Sequence, residues 1–167
     1  KAVDRNGHPL PVSLVDKRLF FAPGSYLAYW QAVDRDGNKA TKAQKVKVHP
    51  LISLSKDQVV GEGNEVVVSI HLNGVAPEYP ISVPYTVAGS ADGNDHDLVD
   101  AVVEITSGTL AHIHFRTIED GEVEAEEEVL ISLDPSLNLG SKKQTQVSIT
   151  EANIAPSVTL EVTQAGE

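Results

Sequence analysis

From Glu65 to Leu72 the chain alternates at every position but Val67. Val66, Val68, Ile70 and Leu72 fall on one side, and Glu65, Ser69 and His71 on the other. A period of two is the signature of a strand with one face in a core. The same alternation returns as Ala111, Ile113 and Phe115 within 109–118, as Val129, Ile131 and Leu133 within 128–133, and as Val147 and Ile149 within 144–150. Shorter apolar runs at 51–54, 81–87 and 101–106 complete a set of seven predicted strands, joined by Gly, Asn, Asp and Pro turns. Short strands at this spacing predict a sandwich. Residues 51–153 are therefore expected to form a seven-stranded antiparallel β-sandwich. Its core should hold Val66, Val68, Ile70, Ile113, Phe115, Val129 and Ile131, because one apolar face fixes register. No segment shows a helical period of useful length.

Upstream, Tyr26, Ala28, Trp30 and Ala32 share one face of a run ending at Val33. Asp34-Arg35-Asp36-Gly37-Asn38 supplies turn chemistry, and Lys39 to Val48 returns with Val46 and Val48 inward, which predicts a hairpin. His49-Pro50 closes it, since proline cannot continue a central ladder. Three parts follow: a partial β module over 1–50, the sandwich over 51–153, and a linker with one strand (Val158, Leu160, Val162) over 154–167. A half-sandwich leaves sheet edges open, so residues 1–50 are expected to be completed by the tail strand or by a neighbouring chain.

Composition supports the all-β reading. Of 167 residues, 40 are Val, Ile or Thr, which pack well on a pleated surface. Cysteine is absent, which removes disulfides, thiolate metal sites and cysteine nucleophiles. The net charge of −11 is unevenly spread: residues 1–50 carry +5 and residues 51–167 carry −16. The second value repels phosphate backbones and argues against a nucleic-acid partner. No apolar run reaches the roughly 18 residues of a membrane span. With Lys1 first, the chain is expected to be a piece of something longer.

Several residue groups carry candidate chemistry. No nucleophile elbow or HExxH is present, and no enzymatic activity is expected. His112 and His114 share a strand face and are either exposed strand histidines or, with His71, part of a zinc or nickel site, which needs a third ligand brought in by the fold. Trp30, Tyr26, Tyr29 and Tyr79 are either a sugar platform or packing. Seven of the ten residues from Glu119 to Glu128 are acidic. They are either a solvated turn or oxygen ligands for a hard cation such as calcium, which takes about 6–8 of them.

The segment from Phe21 to Pro50 resembles the C-terminal half of bacterial immunoglobulin-like surface repeats. It has their Pro23-Gly24-Ser25-Tyr26 turn, their Asp34 to Asn38 turn and a closing Val46-Lys47-Val48. Lys1 to Val12 looks like an earlier strand and turn of the same repeat. The following hundred or so residues resemble a Calx-beta domain, the sandwich repeat of sodium–calcium exchangers and large bacterial surface proteins. The motifs appear in family order: Val60-Gly61-Glu62-Gly63; Tyr85-Thr86-Val87-Ala88-Gly89-Ser90-Ala91 with Asp95-His96-Asp97; Gly108-Thr109-Leu110; Ile118-Glu119-Asp120; and Glu124 to Glu127 before Val129.

In calcium-binding members, carboxylates from several loops meet at one end of the sandwich. The resemblance nominates Glu62, Asp95, Asp97, Glu119, Asp120, Glu124, Glu127 and Glu151. The family closes on a run of aspartates; here that place reads Glu151-Ala152-Asn153, which reduces the expectation from a multi-ion cluster to one weak calcium site. The resemblance implies a non-catalytic structural or adhesive module of an extracellular or bacterial cell-surface protein. Its partners would be neighbouring repeats and a cell-surface protein or glycan. The alternatives are a carbohydrate-binding accessory module and a calcium-responsive regulatory domain.

Overall fold

The computed structural model describes residues 1–15, 22–119, 121 and 125–150. Among these there is no helix, and the fold is all-β. The N-terminal part holds a small hairpin, β1 (Ala2–Val3) with β2 (Pro9–Leu10), and a three-stranded sheet ordered β3 (Val12–Leu14), β4 (Gly24–Val33), β5 (Lys39–Val48). The β4–β5 hairpin pairs along its whole length, from Gly24↔Val48 to Val33↔Lys39. Ala28 and Ala32 are buried, and Val46 and Val48 are half-buried. The tail strand expected at Val158 to Val162 lies outside the described residues.

The second part is a two-sheet sandwich built from β6 (Ile52–Leu54), β7 (Gln58–Gly61), β8 (Glu65–Leu72), β9 (Ile81–Gly89), β10 (Ala101–Ile105), β11 (Leu110–Arg116), β12 (Glu127–Leu133) and β13 (Gln144–Thr150). One sheet is ordered β10-β9-β12-β13-β7 and the other β11-β8-β6. The core lies between them. Val66, Val68, Ile70, Ile113 and Phe115 face Val83, Val129, Ile131, Val147 and Ile149. All seven residues expected in the core are buried. Burying side chains of this size contributes about 1.5–3 kcal/mol each, which is why the alternation dictates the register.

The strand count departs from expectation. Gln58–Gly61 is an eighth strand, and it pairs with β13 in parallel, from Val147↔Gln58 to Thr150↔Gly61. The sandwich is therefore not wholly antiparallel. The chain leaves β6 in one sheet and enters β7 in the other across Ser55–Asp57, the kind of corner by which strands switch sheets. Asp57 fixes that corner: its Oδ1 accepts from Lys142 Nζ at 2.8 Å and from the Gln146 N–H at 2.8 Å. Thr145 Oγ1 donates to the Ser55 carbonyl at 3.0 Å. The polar run Lys56-Asp57-Gln58 gives no strand signal by itself, because its pairing is supplied by residues almost ninety positions away.

Candidate functional site

Among the described residues, the nominated Glu62, Asp95, Asp97 and Glu119 sit on loops at one end of the sandwich, and a buried threonine ties those loops together. Thr117 is fully buried. Its Oγ1 accepts the Asn64 N–H at 3.0 Å and donates to the Gly61 carbonyl at 3.0 Å. Its own N–H donates to the Asn64 carbonyl at 2.9 Å. Asn64 Nδ2 donates to the carbonyls of Gly61 and Glu62. The tight turn Gly61–Asn64 needs Gly63, at φ 70°, in the left-handed region. Glu119 then lies against it: a Cβ at Gly63 would stand 3.3 Å from Glu119 Oε2. Glu62 is adjacent, and its N–H donates to the Thr150 carbonyl at the end of β13.

The acidic loop 90–100 joins the same end. Its launch point is Gly89, whose backbone runs so close to β12 that a Cβ there would stand 1.9 Å from the Glu128 carbonyl oxygen. Ser90 Oγ accepts the Glu128 N–H, and the Ala91 N–H donates to the Glu128 carbonyl. Farther along, the Ile118 N–H donates to the Asp95 carbonyl at 2.8 Å. His96 is buried, bridges to Thr117 and meets the Phe115 ring edge-on. Asp95 Oδ2 accepts the Asp92 N–H at 2.6 Å, and Asp97 Oδ1 accepts the Arg116 N–H at 2.7 Å. Each of these two carboxylates therefore caps backbone with one oxygen and has a second for other work. Asp97 also lines an open cavity of about 570 Å³ with Asp92, His96 and Asp100.

Glu62, Asp95, Asp97 and Glu119 are thus brought to one end, with Glu127 opposite Ile149 near the start of β12. Asp120, Glu124 and Glu151 lie outside the described residues. Among the described residues no group of three or more His, Asp or Glu side chains gathers closely enough to hold a metal ion. The described carboxylates supply the oxygen chemistry that calcium takes, but by themselves they do not close a cradle.

The aromatic residues do not make one platform. Tyr26 and Trp30 lie on one face of the N-terminal sheet and Tyr29 on the other, as adjacent strand positions must. Trp30 Nε1 donates to Gln44 Oε1 at 2.7 Å. Tyr79 belongs to the sandwich, where its hydroxyl accepts the Ala76 N–H and donates to the Gly108 carbonyl.

No protein-family model matches the chain, and no curated protein matches it. Among solved structures it is similar to the calcium binding domain CBD12 of CALX1.1, at TM-score 0.49 and 18% identity, over 60% of this chain and 44% of that one. The chain thus spans less than half the length of that structure. It is likewise similar to the apo-form Calx CBD1 domain, at TM-score 0.49 and 17% identity, over 62% of this chain and 99% of that one. A third similarity is to Salmonella alpha-2-macroglobulin reacted with methylamine, at TM-score 0.30 and 17% identity, over 78% of this chain and 9% of that one.

Proposed function

We propose that the chain is a non-catalytic structural and adhesive segment of a larger extracellular or cell-surface protein. The sandwich serves as a link in a linear series of neighbouring modules, and calcium stiffens its acidic end. One observation carries the reading: the chain enters and leaves the sandwich at opposite ends. At the entry, Asn138 Nδ2 donates to the carbonyls of His49 and Pro50, and the Leu51 N–H donates to Asn73 Oδ1. At the exit, Thr150 pairs with Gly61. The eight residues of β8 separate the two, roughly 25 Å at about 3.3 Å per residue. A module so connected transmits tension along its strands and sets a fixed spacing.

The adhesive part of the reading rests on the N-terminal sheet. On one of its faces Leu27, Tyr29 and Val33 are exposed, and on the other Val12 and Trp30; an exposed apolar patch of sufficient size marks an interaction site. A cell-surface protein or a glycan is the class of partner proposed.

The chain contains no cysteine, so a pair of engineered cysteines can be spin-labelled cleanly. Labels at His49 and Glu62 should give a narrow distance distribution centred near roughly 25 Å or beyond, given the strand rise. A distribution centred well below that, or one broad enough to span both, would remove the linear-series reading.

A further inference from the structure

The solvent face of the β11–β8–β6 sheet carries a feature unrelated to the acidic end. His112 and His114 are exposed on β11, two residues apart and so on one face. Their imidazole centroids are 5.8 Å apart, with the ring planes at 65°. The pairing register sets His112 opposite Ser69, His114 opposite Val67, and Leu110 opposite His71. Ser69 Oγ lies 3.2 Å from His112 Nδ1. That contact engages one ring nitrogen and leaves Nε2 to face solvent. A hydrogen bond on the non-ligating nitrogen is the usual way a ligand imidazole is oriented.

We propose that His112 and His114 form a two-imidazole chelate for a borderline divalent transition cation, with Cu²⁺ held most tightly. Metal–nitrogen bonds of about 2.0–2.1 Å put each ring centroid roughly 3.2 Å from the ion. Two cis ligands at about 90–110° would then have centroids roughly 4.5–5.2 Å apart on the same bond length. The observed separation exceeds this by an amount that a small rotation of the exposed His114 side chain removes. Imidazole donors favour copper, nickel and zinc over calcium, and Cu²⁺ leads the divalent series. The −16 charge of residues 51–167 draws cations to this part of the chain. At the far end of the face, Arg116 is countered by Glu65 at 3.4 Å. His71 stands diagonally across from His112, and among the described residues it does not complete a group of three with the pair. The remaining coordination positions are therefore open to water or to a ligand from another molecule.

The test is a Cu²⁺ titration of the chain followed by histidine side-chain NMR. Substoichiometric Cu²⁺ should broaden the His112 and His114 ring signals before those of His8, His49, His71 and His96. His112→Ala and His114→Ala should each weaken binding by about tenfold or more, since even partners of a ligand matter tenfold or more. The double variant should lose the site, excess Ca²⁺ should not compete, and an unchanged melting temperature should show that these exposed substitutions leave the fold intact. Earlier broadening at other histidines, equal binding by the double variant, or displacement of Cu²⁺ by Ca²⁺ would each overturn the proposal.

Discussion

Asp4 and Asp34 cap two copies of the same turn. Asp4 Oδ1 accepts the N–H groups of Asn6 and His8, and Asp34 Oδ1 accepts those of Asp36 and Asn38. In each turn the aspartate N–H donates to the carbonyl four residues on, and the glycine N–H returns to the aspartate carbonyl. Gly7 and Gly37 both sit at φ 84°, a conformation that glycine adopts without penalty. The sequences Ala2-Val3-Asp4-Arg5-Asn6-Gly7 and Ala32-Val33-Asp34-Arg35-Asp36-Gly37 are nearly identical. The Asp34 carboxyl is held below its ordinary range by the Asn38 side-chain bond and then by backbone N–H groups. Asp34→Ala should therefore lower the melting temperature, and Asp4→Ala should lower it less, because β1–β2 is only two residues long per strand. Equal effects would show that the turn does not register the long β4–β5 hairpin.

Ile70 is fully buried at the centre of the sandwich. Ile70→Ala should cost about 2–5 kcal/mol in urea unfolding, the transfer and cavity terms together. Gly89→Ala should cost on the order of 1–3 kcal/mol by strain and overpacking, although it only adds a methyl group. A neutral Gly89→Ala would mean that β9 and β12 are spaced more widely than the structure has them.

Thr117→Val keeps the shape of a fully buried side chain but removes the hydroxyl that serves Asn64 and Gly61. Leaving the Asn64 N–H unpaired should cost about 1–3 kcal/mol, while the Gly61 carbonyl keeps its bond from Asn64 Nδ2. Thr117→Ser should recover most of it. Hydrogen exchange should report the loss first at Asn64. Unchanged protection there in Thr117→Val would show that water replaces the hydroxyl freely.

Calcium should stabilise only the folded state. Extracellular modules bind it on the order of 10⁻⁴ to 10⁻³ M. With free calcium at about 100 times the dissociation constant the gain is roughly 2.7 kcal/mol. Melting in excess chelator and then in about 10 mM calcium, a concentration set by that affinity range, should show a rise. The rise should be smaller in Glu62→Gln/Glu119→Gln. A melting point indifferent to calcium, or raised equally in the double variant, would make the acidic end a solvated surface.

The Asp57 carboxyl is lowered from its ordinary value of 3.8, first by the Lys142 side-chain bond and then by the Gln146 N–H. A carboxyl depressed in the folded state contributes stability above its unfolded value, and that contribution is lost as pH falls through the folded one. The chain should therefore lose stability below about pH 4. Asp57→Asn should flatten that part of the profile while lowering stability at neutral pH. Urea midpoints from pH 6 to pH 2 measure both, and parallel profiles would remove Asp57 from the acid response.

Residues such as Val66, Val68, Ile70, Ile113, Val129 and Ile131 announce the sandwich in the linear chain, because burying one face of each strand requires a period of two that any reader of the sequence can see. The β4–β5 hairpin is legible for the same reason, since its turn chemistry is local. The acidic loops were legible as a set of motifs, but their meeting depends on partners distant in sequence: Thr117 reaching Gly61 and Asn64, Asp95 holding Ile118, Gly89 closing on Glu128. β7 was hidden because its hydrogen bonds come from β13 and its corner from Asp57, Lys142 and Gln146, none of which leaves a trace in the local pattern. Periodicity records which face of a strand is apolar. It does not record which strand lies alongside, and that choice, made by the packing of the whole domain, decided the parallel pair, the opposite placement of entry and exit, and the company each carboxylate keeps.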